Sequence, residues 1–77
     1  MARRILHEGP ADIILCFAEA SIEWSHPTVI REERLGVYSA ASQTQFPAGA
    51  DYVIVRFAGE ELSGTVTRQT SATLFFS

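Results

Sequence analysis

Residues 11–24, ADIILCFAEASIEW, decide the fold class of this 77-residue chain. Pro10 stands directly before them, where a first-turn proline loses no helical hydrogen bond. Asp12 then falls in the first turn, beside the positive end of the helix dipole. Most of the residues that follow are compatible with a helix, and Pro27 ends it because the residue before a proline avoids the helical region. The stretch therefore predicts one N-terminal helix over residues 11–24.

A projection of this helix at about 100° per residue places its polar side chains in one narrow stripe. The stripe contains one thiol and three carboxylates, namely Cys16, Asp12, Glu19 and Glu23. Carboxylates at regular spacing on a rigid helix could bind a basic surface of another protein. Asp12, Glu19 and Glu23 are therefore the candidate partner-binding residues, and the competing interpretation is the ordinary polar face of an amphipathic helix.

The apolar arc of the same helix is much wider than one sheet needs to cover it. Ile13, Phe17 and Trp24 lie on one flank, and further apolar residues fill the rest. We expect a loop or a second chain to cover what the sheet does not. Ile13, Phe17 and Trp24 are therefore the candidate self-association residues, and burial within one chain or between two would decide between a monomer and a homodimer.

The remainder of the chain predicts a mainly antiparallel sheet of about four strands. Alternation is strongest at residues 52–57, where Val53, Val55 and Phe57 face one side, and Tyr52 and its alternate neighbours face the other. Other strand-like segments are residues 2–7, 35–42, 62–68 and 72–76. Helix and sheet each bury one face when they pack in two layers. The prediction is thus a single α+β domain over residues 1–77, with one N-terminal helix packed on the sheet.

Charge and composition exclude several function classes. The formal net charge is −3, with six arginines and no lysine, so the basic excess that drives phosphate binding is missing. No stretch approaches the roughly 20 apolar residues of a membrane span. The single cysteine, Cys16, can form no disulfide within the chain. We expect a cytoplasmic protein with no membrane partner, and we do not expect direct nucleic-acid binding.

No constellation of residues indicates catalysis, a metal or another cofactor. His7, His26 and Cys16 are the only imidazole and thiol groups, and their spacing matches no metal-ligand motif. His26, next to Pro27, is interpreted as a turn residue. Carboxylates around Cys16 on the helix would make its thiol a poorer nucleophile. The sequence contains neither a G-x-S-x-G elbow nor a glycine-rich phosphate loop, so we predict a protein that is not an enzyme.

Three function classes remain open. The first is a small protein-binding module that inhibits a nucleic-acid-binding partner through a basic surface of that partner. In size and composition alone the chain resembles phage and mobile-element inhibitors, anti-CRISPR proteins among them. The second is a structural subunit of a homo-oligomer or virion assembly, built through the apolar arc or an exposed strand edge. The third, a nucleic-acid-binding regulator, requires Arg3, Arg4, Arg31, Arg34, Arg56 and Arg68 to converge on one face.

Overall fold

A computed structural model describes residues 4–77 of the chain. Within this range there are six β-strands and no helix. Their bounds are β1 Arg4–Cys16, β2 Ser21–Arg34, β3 Val37–Ser42, β4 Tyr52–Phe57, β5 Glu60–Gln69 and β6 Thr73–Phe76. The predicted α+β class is therefore wrong, and the protein is all-β. The predicted first strand began at Ala2, and Ala2 and Arg3 lie outside the described residues.

The six strands close into an antiparallel barrel in the order β1-β2-β3-β6-β5-β4. Two three-strand meanders, β1-β2-β3 and β4-β5-β6, form its halves. They join where β3 pairs with β6 and where β4 pairs with β1. Closure removes the open sheet edges that a two-layer sandwich would have left. The predicted two-layer arrangement is wrong for this reason as well.

The segment predicted to be a helix forms a β-hairpin instead. Its first part belongs to β1, its last part to β2, and residues 17–20 form the turn, closed by a hydrogen bond from Phe17 N–H to the Ala20 carbonyl oxygen at 2.7 Å. The turn contains neither glycine, proline, asparagine nor aspartate, so the usual sequence marker of a hairpin is missing. Ile13 and Ile14 are β-branched, which suits a strand better than a helix.

The barrel interior is filled by alternate residues of every strand. Ala11, Ile13 and Leu15 of β1 point inward and are buried, whereas their neighbours point outward. The largest fully buried side chains come from four strands and are Phe76, Ile13, Leu15, Ile30, Leu74, Val53 and Val55. Phe46 and Ala50, from the loop between β3 and β4, are also buried against this core. The wide apolar arc predicted for a helix over residues 11–24 therefore combines two faces of the β1–β2 hairpin, an inner face in the core and a half-buried outer face.

Strands β1 and β2 are long, and different parts of each strand pair with different neighbours. Residues 12–16 of β1 pair with β4 as well as with β2, whereas residues 4–11 pair with β2 alone. Conversely, residues 28–34 of β2 pair with β3, and residues 21–27 do not. This stagger is typical of a closed barrel, whose strands tilt against its axis. It creates two outer surfaces, each with its own set of side chains.

Candidate protein-binding face

The outward side chains of β2, β1, β4 and β5 form a continuous surface, here called the front face. The strand registers align them in three rows across the four strands. The rows read Ser25, Asp12, Arg56 and Glu61; then Glu23, Ile14, Ile54 and Ser63; then Ser21, Cys16, Tyr52 and Thr65. Because every strand here is hydrogen-bonded to its neighbours, the barrel holds this surface rigid.

The centre of the front face is apolar. Ile14 and Ile54 lie directly opposite each other and are half-buried, although they point away from the core. Tyr52 is 40% exposed, and its hydroxyl donates a hydrogen bond to Ser63 Oγ at 3.2 Å. Cys16, the partner of Tyr52 in the register, has a free and half-buried thiol. The centre thus offers a flat apolar surface with one large aromatic ring.

An ion-pair cluster borders this centre. Arg56 Nε donates a hydrogen bond to Glu61 Oε1 at 3.0 Å, and Arg56 Nη1 lies 4.0 Å from Glu23 Oε2. The hydrogen bond and charge of Glu61, with smaller contributions from Glu23 and Asp12, raise the pKa of the Arg56 guanidinium. The cluster is exposed to solvent. It holds one cation among three carboxylates and leaves the border negative.

The acids of the chain are concentrated on this side of the barrel. Residues 12–23 and 51–65, which supply the front face and its turns, contain six carboxylates and one arginine, a net charge of −5. The rest of the described chain contains four arginines and three glutamates, a net charge of +1. The overall charge of the protein therefore understates the negative potential of the front face.

Two of the three predicted partner-binding acids share the front face, and the third lies at the tip of the β1–β2 hairpin. Asp12 and Glu23 point outward from adjacent strands of the front face, and Glu19 is exposed in the β1–β2 turn. The helical stripe that motivated their choice is absent from the described chain. Their role in partner binding stays a prediction, now on a sheet surface.

The three predicted self-association residues differ in how deeply they are buried within the chain. Ile13 has no exposed surface at all. Phe17 and Trp24 are half-buried and pack against the core. Of the three, only Phe17 and Trp24 keep exposed surface, and the role of these residues in self-association stays a prediction.

His26 is a half-buried residue within strand β2, so its interpretation as a turn residue is wrong. Its ring stacks on Trp24 with centroids 5.3 Å apart and contacts Phe46 at 5.8 Å. Its Nδ1 lies 2.6 Å from Ser42 Oγ, whereas its Nε2 is buried and has no hydrogen-bond partner within residues 4–77. Burial lowers the pKa of His26. Without a group on Nε2 to orient the ring, this histidine–serine pair lacks the third member of a hydrolytic triad.

The positions of the arginines and of possible metal ligands bear on two other functions, nucleic-acid binding and metal binding. The described arginines do not all share one surface, because Arg56 lies in the row of Asp12 and Ser25, whereas Arg31 lies six residues further along β2 than Ser25. Arg3 is outside the described residues. Among residues 4–77, no three histidine, cysteine, aspartate or glutamate side chains come together as a candidate metal site.

The sequence did not predict a candidate site that includes Tyr52, Ile54 and Arg56. Their alternation with buried Val53 and Val55 was visible, and an isoleucine among outward residues was a usable signal of a partly covered outer face. What the sequence could not show is that β4 lies beside β1, which brings these three residues to Ile14 and Asp12.

Comparison with known proteins adds no relative: no protein-family model matches the chain, nor does any curated protein or solved structure. Over residues 4–77, no helix has the length and apolar character needed to cross a membrane. The fold and the front face are therefore interpreted on physical grounds alone.

Proposed function

We propose that this protein is a non-enzymatic protein-binding module and that the front face is its binding surface. The observation that carries the proposal is the combination of an apolar centre with an acidic border on one rigid sheet surface. Ile14, Ile54 and Tyr52 supply the centre, and Asp12 and Glu23 stand on its border. An apolar centre within a polar rim is the usual organisation of protein interfaces.

The residue types on this face support the same proposal. Tyrosine and arginine are enriched among the residues that contribute most to binding energy. Tyr52 presents an exposed ring beside Ile54, and Arg56 is held in place by Glu61 and Glu23. An ordered arginine loses less side-chain entropy when a partner binds.

The charge of the front face favours a partner with a basic surface. Complementary charge speeds association and fixes orientation more than it adds affinity. A basic surface that ordinarily binds nucleic acid has the charge this face would complement, and occupying it would block the nucleic acid. This is the inhibitor form of the proposal, and it requires binding that weakens as salt rises.

A matched pair of charge reversals tests the proposal. Glu23→Arg removes an acid from the front face, whereas Glu32→Arg removes an acid that pairs with Arg4 at 3.0 Å elsewhere on β2. Both variants change the net charge equally and disrupt one surface ion pair. Tagged protein is used to capture partners from lysate of the source cells, and affinity for each purified partner is measured by calorimetry at several salt concentrations.

We expect Glu23→Arg to weaken binding at least tenfold at low salt and Glu32→Arg to leave it nearly unchanged. Tyr52→Ala should weaken binding at every salt concentration, because it removes apolar contact area. Competition with a labelled oligonucleotide then separates an inhibitor from a module that binds elsewhere on the partner. Equal affinities for the wild type, Glu23→Arg and Tyr52→Ala would refute the front face as the binding surface.

A further inference from the structure

One apolar side chain stands almost entirely in solvent at the end of the β2–β3 hairpin. Leu35 is 96% exposed, against 52% for Ile5, the next most exposed large apolar side chain described. It occupies the turn between Arg34 and Gly36. Single exposed apolar residues are common on protein surfaces, so Leu35 gains significance only if a complementary site exists.

A groove with suitable chemistry lies outside the front face. It has a volume of about 550 Å³ and runs over β1, β2 and β3. Val29 and Ala41, which are direct partners in the register, form its apolar floor, with Pro27 beside them. The half-buried Val29 and Ala41 point outward, between neighbours that are directed into the barrel. The groove could therefore take a branched aliphatic side chain.

The charges beside the leucine and the groove are complementary. Arg34 directly precedes Leu35 and forms no ion pair within residues 4–77. Glu8 lies at the rim of the groove, opposite Val29, and also forms no ion pair within the described chain. If Leu35 enters such a groove, Arg34 comes close to the rim where Glu8 stands.

The leucine of one chain cannot reach the groove of the same chain. Leu35 follows Val29 by six residues along an extended strand and its turn, which corresponds to about 20 Å. The two features therefore lie at different places on the barrel and can meet only between copies. A contact between two different surfaces of identical chains is head-to-tail, and its repetition makes a ring or a filament.

We propose that the protein self-associates head-to-tail, with Leu35 of one copy seated in the Val29–Ala41 groove of the next and Arg34 paired with Glu8. The occupant of the groove is a second copy of this chain. The interaction uses none of the front-face residues and does not depend on the front-face proposal. This contact would be one way in which the protein could act as a structural subunit of a homo-oligomer, the second function class considered from the sequence.

The first test is solution mass by light scattering from micromolar to millimolar concentration. We expect the wild type to exceed twice its monomer mass of 8.5 kDa as concentration rises, because head-to-tail contacts do not stop at a dimer. Leu35→Asp should remain a monomer. The control Thr67→Asp adds the same charge at an exposed position of β5 and should behave as the wild type. Glu23→Arg on the front face should also leave the mass unchanged.

A charge swap tests the assigned contact itself. Glu8→Arg and Arg34→Glu should each weaken association at least tenfold, and the double variant should regain most of it, since each contact then pairs the exchanged charges. For direct proof, Leu35→Cys and Thr44→Cys in a Cys16→Ser background should form disulfides between chains, since Thr44 borders the groove. A wild type that is monomeric throughout, an unaffected Leu35→Asp variant, or a double variant that stays weak would overturn the proposal.

Discussion

Gly64 is the position at which the barrel tolerates no side chain. A Cβ built on it would lie 2.5 Å from the carbonyl oxygen of Ser77, 2.6 Å from the Ser77 carbonyl carbon and 3.1 Å from its nitrogen. All three are backbone atoms, so no flexible side chain can move aside. Gly64→Ala must therefore displace either β5 or residue 77.

The cost can be estimated from what the displacement breaks. Thr65 N–H donates to the Ser77 carbonyl oxygen at 2.9 Å, and Ser77 N–H donates to the Thr65 carbonyl oxygen at 3.1 Å. Each such bond contributes about 1 kcal/mol net, and overpacking costs about 1–3 kcal/mol where the neighbours cannot move. The lower backbone entropy of unfolded alanine returns about 0.5–1 kcal/mol. The two costs are alternatives, because a displacement large enough to break the bonds relieves the overpacking. Either cost, less the returned entropy, leaves a net loss of about 1–2 kcal/mol in the free energy of unfolding.

Urea unfolding followed by the fluorescence of Trp24, the only tryptophan in the sequence, measures this loss. With a denaturant slope of about 1 kcal/mol/M, the midpoint should fall by about 1–2 M. Removing residue 77 supplies the control, because Gly64→Ala should cost much less in a chain that lacks the clashing atoms. An unchanged midpoint for Gly64→Ala in the full chain would show that the packing of residue 77 against β5 has been misjudged.

Three further predictions concern the core, a turn and a buried histidine. Ile13→Ala should lower the free energy of unfolding by about 2–5 kcal/mol, and Ile14→Ala by much less, because only Ile13 is in the core; chemical denaturation of both variants measures the difference. Ala58 has φ of 49° in the two-residue β4–β5 turn, a left-handed conformation that asparagine adopts more readily than alanine. Ala58→Asn should therefore raise the free energy of unfolding by about 1 kcal/mol, measured as a higher melting temperature. Burial lowers the pKa of His26 below its ordinary 6.5. As pH falls, the unfolded chain therefore binds a proton at His26 before the folded chain does, and the free energy of unfolding decreases below about pH 6.5. The slope is at most about 1.4 kcal/mol per pH unit, and denaturation between pH 7.5 and 5 should show a flatter profile for His26→Phe than for the wild type.

The hairpin of β1 and β2 shows why the fold class could not be derived from the sequence. Residues 11–24 contain apolar side chains at both helical and strand spacing, because the front face adds outward Ile14 to the inward set. The turn at residues 17–20 lacks glycine and proline, so nothing marks the reversal of the chain. Pro10, interpreted as a helix start, instead pairs with Pro27 across the two strands.

Local pattern was sufficient where the strands are short and their turns are marked. The predicted segments 52–57, 62–68 and 72–76 coincide with β4 to β6 within a few residues. The prediction that Val53, Val55 and Phe57 share one side of the strand is confirmed, and that side is the buried one. Gly59 lies at the β4–β5 turn with positive φ, as a tight hairpin requires. What these segments do not contain is information on which distant strand each one joins.

Half of the candidate site could be predicted from the sequence, because it depends on local polarity. The other half could not, because it depends on the pairing of distant strands. Asp12 and Glu23 were selected because they are polar in an apolar stretch, a property that survives the change from helix to hairpin. Arg56 and Tyr52 enter only through the pairing of β4 with β1, which closes the barrel across about 40 residues of chain. Loop closure over such a distance leaves no local signature.

The stagger of β1 and β2 also relates the two proposed surfaces. Residues 12–16 of β1 belong to the front face, whereas Glu8 of the same strand borders the groove. On β2 the order along the chain is reversed, with Glu23 on the front face before Val29 in the groove. Head-to-tail association through the groove would therefore leave every front face open. A ring or filament of such copies presents many acidic faces at once, and a partner with several basic sites would bind it more tightly than it binds one copy, through effective concentration alone. Leu35→Asp should then weaken capture of a multivalent partner while leaving the affinity for a single isolated basic site unchanged.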